Sequence, residues 1–469
     1  MDTTTSKWGS MEWRRRLETF GVDDGPVIAS GPKGETDSIC NLGELTDQGR
    51  RSTHALGERL RHLYVDQLKF MPSMIDSADM IYLRATPIPR ALESLQETFW
   101  GMYPSKTRAA SFPPPTIITR APADETLFPN DGNCRRFAQL SRAFAQRTAD
   151  RWNQTEQMDY LNHLISKWMP ESSKRVAVDS RPRLSGIMDT INSTLAHPAE
   201  TRLPDEFYDK KGREIIDKIG VEEWFSGYKE SREYRALGIG GLMGDVVSRM
   251  VGSVEMNARD GLDEVGGESG ETGPPGRGGE IAIKLGLSGC HDTTLASALA
   301  SLGAFENENW PPYTSHIALE LFKKKGGLKE QATAKLELEE VPAVAAEQPQ
   351  KTTRGFFGRT WRLLVGAGGD SNGVLPSPSG ISRKKVDELS DTEKSKLDGY
   401  FVRIRYNDKV MNVPGCKLAG KHLDGDESFC TLEAFKAIVD KFTPLNWKQD
   451  CRSKIDTPAF PPSPEPAGF

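Results

Sequence analysis

Arg84, His291 and Asp292 are the residues of this chain whose types and spacing suit chemistry on an anion. His291 and Asp292 are adjacent in SGCHDTTLASALASLGAF, directly after the apolar run Ile281 to Leu287, so they fall where a strand turns into a helix. Arg84 ends a second apolar run, Met80 to Leu83, and Arg90 follows six residues on in RATPIPRALES, within the next helix. In an open α/β sheet, ligands bind beyond the carboxyl ends of the strands, where each following helix directs unpaired N–H groups and its positive dipole end. A guanidinium offers parallel hydrogen bonds to phosphate oxygens. A carboxylic acid beside an imidazole can protonate a leaving alkoxide, the general-acid step of phosphomonoester hydrolysis. Taken singly, a strand-end arginine or a lone histidine is ordinarily a solvated or structural side chain. Together they are expected to converge on one phosphate, Arg84 and His291 binding it and Asp292 supplying the proton.

The elements that must position these residues are legible in the apolar periodicity. Leu45-Thr46 opens an amphipathic helix through Phe70, with Leu56, Leu60, Leu63 and Tyr64 at helical spacing. The strand at Met80 to Leu83 is followed by a helix that starts after Pro87 or Pro89 and reaches Trp100. Thr116 to Thr119 reads as another strand, and residues 134–258 are helical almost throughout. A strand-turn-helix returns at Ile281 to Gly303, then β patterning in Ser315 to Phe322 and in the alternating set Tyr400, Val402, Ile404 and Tyr406. The expected fold is α/β, a mostly parallel sheet core flanked by helices with an inserted α-helical cap.

The expected organisation is a first part of the core at 1–120, a cap at 121–280 and the rest of the core at 281–322 and 399–445. The stretch Gly261 to Gly279 is too rich in Gly, Glu and Pro to offset its ordering entropy and reads as a tether. Residues 323–398 read as a low-complexity insertion between two strands that pair as a hairpin, which closure entropy tolerates. Its inner run Phe356 to Val365 reads as a short helix, a docking segment or disorder. Residues 446–469 read as a Pro-rich tail.

A chain of 469 residues with 37% hydrophobic residues can bury a sizeable core. A formal charge of -5 gives no reason to expect nucleic acid or an acidic membrane surface as partner, so any anion site must be local. The six cysteines, Cys40, Cys134, Cys290, Cys416, Cys430 and Cys451, lack metal-binding spacing and leave room for one or two disulfides. No window approaches the roughly 18 to 20 apolar residues that span a bilayer. The segment through Gly21 also has no apolar leader, and its acidic residues make the Arg14-Arg15-Arg16 cluster a poor transit peptide, so the visible N-terminus suggests the cytosol. GIGGLMG at Gly238 to Gly244 lacks a preceding strand and reads as a glycine-containing entry to a helix ending near Met256. Asn153-Gln154-Thr155 and Asn192-Ser193-Thr194 match the glycosylation acceptor, and Arg61-His62 is an exposed helical pair.

The sequences LGELTDQGRRSTHALGERLRHLYVDQL, IYLRATPIPRALESLQETFWGMYP and GCHDTTLASALASLGAF, in that order, resemble successive motifs of the histidine acid phosphatase family, branch two of the histidine phosphatase superfamily. ALGERLRHLYV, ADETLFPN, NENWPPYTSHIALELF and YNDKVMNVPGC resemble the mitochondrial lysophosphatidic acid phosphatase and its fungal relatives more than phytases. The resemblance covers most of residues 40–322 and 399–445. It implies a phosphoglycerate mutase-like fold and hydrolysis through a phosphohistidine, with no cofactor and no metal. It implies Arg84 as a phosphate ligand, His291 as a second one and Asp292 as proton donor, with Arg90 structural and Glu125 near the substrate. The implied ligand is a small phosphomonoester or a lysophospholipid, and the implied compartment is the mitochondrion. The inserted cap and the HDTTL context argue against a phosphoglycerate mutase. Oligomeric state leaves no sign.

One departure matters. The family's opening RHGxRxP, whose histidine is the nucleophile, has no counterpart, and residues 1–40 contain no histidine. Covalent catalysis then has no first step, so this chain is expected to be inactive as a phosphatase. Loss of that segment would also remove a central strand from a parallel sheet. That cost favours a gene model begun at an internal methionine over an evolved inactive relative. The competing expectation is a non-enzymatic binder of phosphate ligands or of a protein partner.

Overall fold

The computed structural model describes residues 16–21, 25–31, 34–37, 43–198, 201–255, 283–306, 308–325 and 380–469. Cys40, the tether at 261–279, Ile281, the run at 356–365 and most of the 323–398 insertion lie outside the described residues.

Short strands β1 (Glu18–Phe20) and β2 (Pro26–Ile28) pair antiparallel ahead of the main body. Helix α1 (Asp47–Arg61) is capped by Thr46, whose hydroxyl accepts the Gly49 N–H at 3.2 Å. It runs on as a π-helical segment, His62–Gln67, and Arg61 at the junction donates to the carbonyl oxygens of Met102 and Ser73. Strand β3 (Ile81–Ala85) is buried at every position, as a strand covered on both faces must be. Helix α2 (Pro89–Met102) starts with its proline in the first turn. Two glycines bring α1 and α2 together: a β-carbon on Gly57 would lie 2.0 Å from the Thr98 carbonyl oxygen, and one on Gly101 2.1 Å from that of His54.

After strand β4 (Ile117–Ile118) come helices α3 (Arg135–Trp152), α4 (Glu156–Ile165), α5 (Leu184–Ala196), α6 (Lys210–Glu230) and α7 (Gly241–Glu255). The GIGGLMG glycines serve packing. Gly238 and Gly240 lie in a π-helical segment before α7, where a β-carbon would meet the Tyr228 hydroxyl at 2.5 Å and the Phe442 carbonyl oxygen at 2.1 Å. Strand β5 (Leu285–Gly289) and helix α8 (Asp292–Ser301) then form the strand-turn-helix unit that the sequence predicts.

The expected α/β architecture is observed, with the parallel part limited to three strands in the order β4-β3-β5. Beside it stands an antiparallel sheet of β6 (Ile317–Lys323), β7 (Tyr400–Tyr406), β8 (Lys409–Met411), β9 (His422–Leu423) and β10 (Asp426–Thr431). Strands β6 and β7 pair from Ile317↔Tyr406 to Lys323↔Tyr400, the hairpin predicted across the insertion. Among the described residues, β5 pairs only with β3, and β6 only with β7.

Three apolar clusters hold these layers. Leu83, Ala85, Leu95, Phe99 and Met102 join the parallel sheet to its helices. A larger cluster joins α3, α6, α7 and α8 to β7 and to helix α9 (Leu432–Asp440). A third, with Trp152, Met158, Leu161, Ile187 and Ile219, belongs to the α3 end, α4, α5 and α6. Residues 380–398 pack against this body: Ile381, Val386, Leu389 and Leu397 are buried, and buried Lys436 donates from Nζ to the Ser382 carbonyl oxygen at 3.2 Å.

The Pro-rich tail is built in as well. Cys134 and Cys451 form a disulfide, Arg136 donates to the carbonyl oxygens of Thr457 and Pro458, and Ala467 is buried. Cys416–Cys430 is a second disulfide, and Cys290 is unpaired. Among the described residues, no helix is long and apolar enough to cross a membrane.

Because backbone meets backbone at Gly57, Gly57→Ala is expected to lower stability by about 1–3 kcal/mol, read from urea midpoints. Gly132→Ala, with open space at its β-carbon, is the control and is expected to change little.

Candidate active site

The parallel register places Arg84 beside Ser288 and Ala85 beside Gly289, which brings the ends of β3 and β5 level. Gly289 is needed there, since a β-carbon would lie 2.4 Å from the Ala91 carbonyl oxygen of α2. One residue past each strand the chains remain joined. Thr86 donates its backbone N–H to the Gly289 carbonyl oxygen at 3.2 Å, and its hydroxyl lies 3.0 Å from His291 Nε2.

His291 caps α8 and is fixed on several sides. Its backbone N–H donates to Thr294 Oγ1 at 3.3 Å, and Thr294 in turn donates to the Leu127 carbonyl oxygen at 2.5 Å. Phe128 meets its ring edge-on at 5.9 Å. Burial pushes the His291 pKa below its ordinary value, the positive charge of Arg90 pushes the same way, and Asp292 and Glu125 oppose it. The imidazole is thereby held towards its neutral form.

Asp292 is the first residue of α8 and is exposed at the cleft mouth. Its Oδ1 accepts the Thr293 N–H at 2.8 Å, and its Oδ2 accepts the Trp310 indole N–H at 2.8 Å. A carboxylate at this position also suits the positive end of the helix dipole.

Arg84 is 2% exposed, deeper than a side chain projecting freely into a cleft. Its Nη2 donates to Glu125 Oε1 at 2.7 Å and to Thr126 Oγ1 at 3.0 Å, and its Nη1 lies 3.7 Å from Asp245 Oδ2. Glu125, at 0% exposure, also accepts the backbone N–H groups of Thr126 and Leu127 through the same oxygen. Arg84 Nε and Glu125 Oε2 are buried with no hydrogen-bond partner among the described residues. The expectation that Glu125 stands near the substrate thus acquires a geometry: it holds the guanidinium expected to hold phosphate.

Arg90, expected to be structural, is exposed, and donates a long hydrogen bond to the Gly43 carbonyl oxygen at 3.3 Å. Its charge acts on His291, Asp189 and Tyr313 alike, so it stands near all three.

Sequence reasoning missed Asp189, Trp310, Arg120 and Asp245. Trp310 stood in the quoted NENWPPYTSH but carried no chemical signal of its own. Asp189 lies in MDTIN on α5, where nothing local distinguishes it from any solvated helix carboxylate. Arg120 donates to Thr126 at 2.8 Å and to Asp245 at 3.1 Å, and with Arg84 at 3.7 Å and Arg383 at 4.0 Å three guanidinium groups share one carboxylate. Among the described residues there is no cluster of side chains able to hold a metal ion.

A histidine and an acid follow one strand end, level with a buried arginine at the next, in an α/β protein, where such folds bind their ligands. This chain belongs to the histidine phosphatase superfamily (branch 2), whose signature matches residues 5–336. It is 33% identical over 452 residues to a probable acid phosphatase of Schizosaccharomyces pombe, covering 95% of this chain and 84% of that protein. It is 25% identical over 285 residues to the human lysophosphatidic acid phosphatase type 6, a match spanning 60% of this chain and only 57% of that protein. The apo phytase of Hafnia alvei shares the fold, with a TM-score of 0.50 at 11% identity over 90% of this chain and 91% of that one.

The cleft carboxylates yield a stability prediction. Asp189 has its pKa raised above 3.8, by burial first and by Asp292 second, with Arg90 opposing. The folded state therefore binds this proton more tightly than the unfolded chain, and the cost of ionising it is fully present above the raised value and lost as pH falls towards 3.8. Asp189→Asn is expected to raise the melting temperature at neutral pH, with the gain shrinking on acidification. A gain independent of pH would contradict this.

Proposed function

We propose that the cleft at the ends of β3 and β5 is the phosphate site of an acid phosphatase acting on small or lipid phosphomonoesters of the lysophosphatidic acid kind. The observation that carries this reading is the convergence of Arg84, His291 and Asp292 at two adjacent parallel strand ends, with the charge of Arg90 acting on His291. Arg84 and His291 hold the phosphoryl oxygens, and Arg90 adds a second positive charge nearby. Asp292 donates its proton to the leaving oxygen as the ester bond breaks, and then takes a proton from the water that releases phosphate.

The chain of 469 residues holds no RHGxRxP segment, and on this reading it binds phosphate esters without turning them over. Its seven histidines support this reading. His54 lies against Glu97, His62 against Gln67, His197 against Thr46, His316 against Asp408 and His422 against the Cys416 carbonyl, and His163 sits on α4. Only His291 has its contacts at the strand ends. The two disulfides support folding in an oxidising compartment.

Titration calorimetry with inorganic phosphate tests the site. Arg84→Ala is expected to weaken binding by about tenfold or more, as loss of a charged hydrogen bond would. Unchanged affinity would remove Arg84 from the phosphate site. Phosphate release from an aryl phosphate is expected only when the RHGxRxP segment is present. Release by the 469-residue chain alone would instead mean that one of its own histidines is the nucleophile.

A further inference from the structure

We infer that Trp310 is the positioning residue for Asp292, a donor-only tether that ties the proton donor to the helical cap. The inference rests on the phosphatase reading of the site. The indole Nε1–H donates to Asp292 Oδ2 at 2.8 Å. Trp310 itself is gripped by α6: its backbone N–H donates to Asp217 Oδ1 at 3.0 Å, its ring lies 5.1 Å from that of Phe225, and Trp224 meets it edge-on at 5.9 Å. The cap helix thus reaches the carboxyl at the start of α8 through one side chain.

The chemistry of the donor explains why an indole suits the position. An indole N–H donates and cannot accept, so it fixes a carboxyl oxygen without competing for the acid's proton. The Thr293 N–H fixes the other oxygen in the same manner. With both oxygens accepting, the carboxyl plane is set, and a proton gained from solvent resides on a lone pair facing the cleft. The titratable groups that feel the charge of this carboxyl are Asp189 from α5, Cys290 and His291 from its own turn and Tyr313 from the loop that follows Trp310, and Arg90 from α2 acts on Asp189, His291 and Tyr313. Trp310 carries no charge, and orientation is what it contributes.

The first test uses the 469-residue chain and needs no turnover. In a proton–nitrogen spectrum of the tryptophan indoles, the resonance lost in Trp310→Phe is that of Trp310. It is expected to move upfield in Asp292→Ala, and by less in Trp224→Phe, which changes only the ring current of an edge-on neighbour and leaves the hydrogen bond in place. An unmoved resonance in Asp292→Ala overturns the tether.

The second test compares leaving groups in any form of the protein that carries an RHGxRxP segment. An alkyl phosphate needs its leaving oxygen protonated, whereas a dinitrophenyl phosphate does not. Trp310→Phe is expected to lower kcat on the alkyl ester at least about tenfold more than on the dinitrophenyl ester, and to add little in an Asp292→Asn background. Equal losses on both esters would make Trp310 a purely structural residue and overturn the assignment. If no form releases phosphate from either ester, the phosphatase reading fails, while the indole result still decides whether the tether exists.

Discussion

Everything at the strand ends depends on the buried ion pair between Arg84 and Glu125. A guanidinium at 2% exposure has lost its water, and its charge must be answered by protein. Glu125 answers it at 2.7 Å, and its own oxygen is held by two backbone N–H groups of the loop that carries it. Removing one member of such a pair costs about 3–5 kcal/mol, because the other is left charged in a dry place. The loop is fixed further by Asn130, which donates to the carbonyl oxygens of Pro122 and Glu125. The same loop receives the Thr294 hydroxyl through Leu127. Strand β3, the 122–130 loop and helix α8 are therefore one unit, and the arginine cannot be placed without placing the histidine and the acid.

That unit leaves part of the arginine uncommitted to its carboxylate. The Glu125 contact uses Nη2, while Nε carries no partner among the described residues. Glu125 thus aims the guanidinium and moderates its charge. Arg90 is exposed, and its charge acts on His291 and on the Asp189 carboxylate.

The strand-turn-helix units were legible in the sequence because their signals are local. Apolar runs end at Arg84 and before His291, and Pro89 and Thr46 mark helix starts. The β6–β7 pairing was legible across a long insertion because alternation survives any loop length. Asp189, Trp310 and Asp245 were not legible, since each is brought to the cleft by tertiary packing of a helix or loop whose own pattern speaks only of amphipathicity. The Pro-rich composition of 446–469 said nothing of how the tail packs: its carbonyl oxygens are used by Arg136 and its cysteine by Cys134. Composition cannot reveal a partner 317 residues away.

That distant bridge gives the molecule an unusual covalent topology. With Cys134 joined to Cys451, most of the polypeptide is a closed ring, and both the cap helices and the β6–β7 hairpin lie inside it. A single peptide bond cut anywhere in the ring, including between β6 and residue 380, cannot let the pieces drift apart while the sulfurs remain joined. The ring also has a clock. Cys451 leaves the ribosome only after nearly all of the chain, so α3 must reach its place by packing alone and be locked there last.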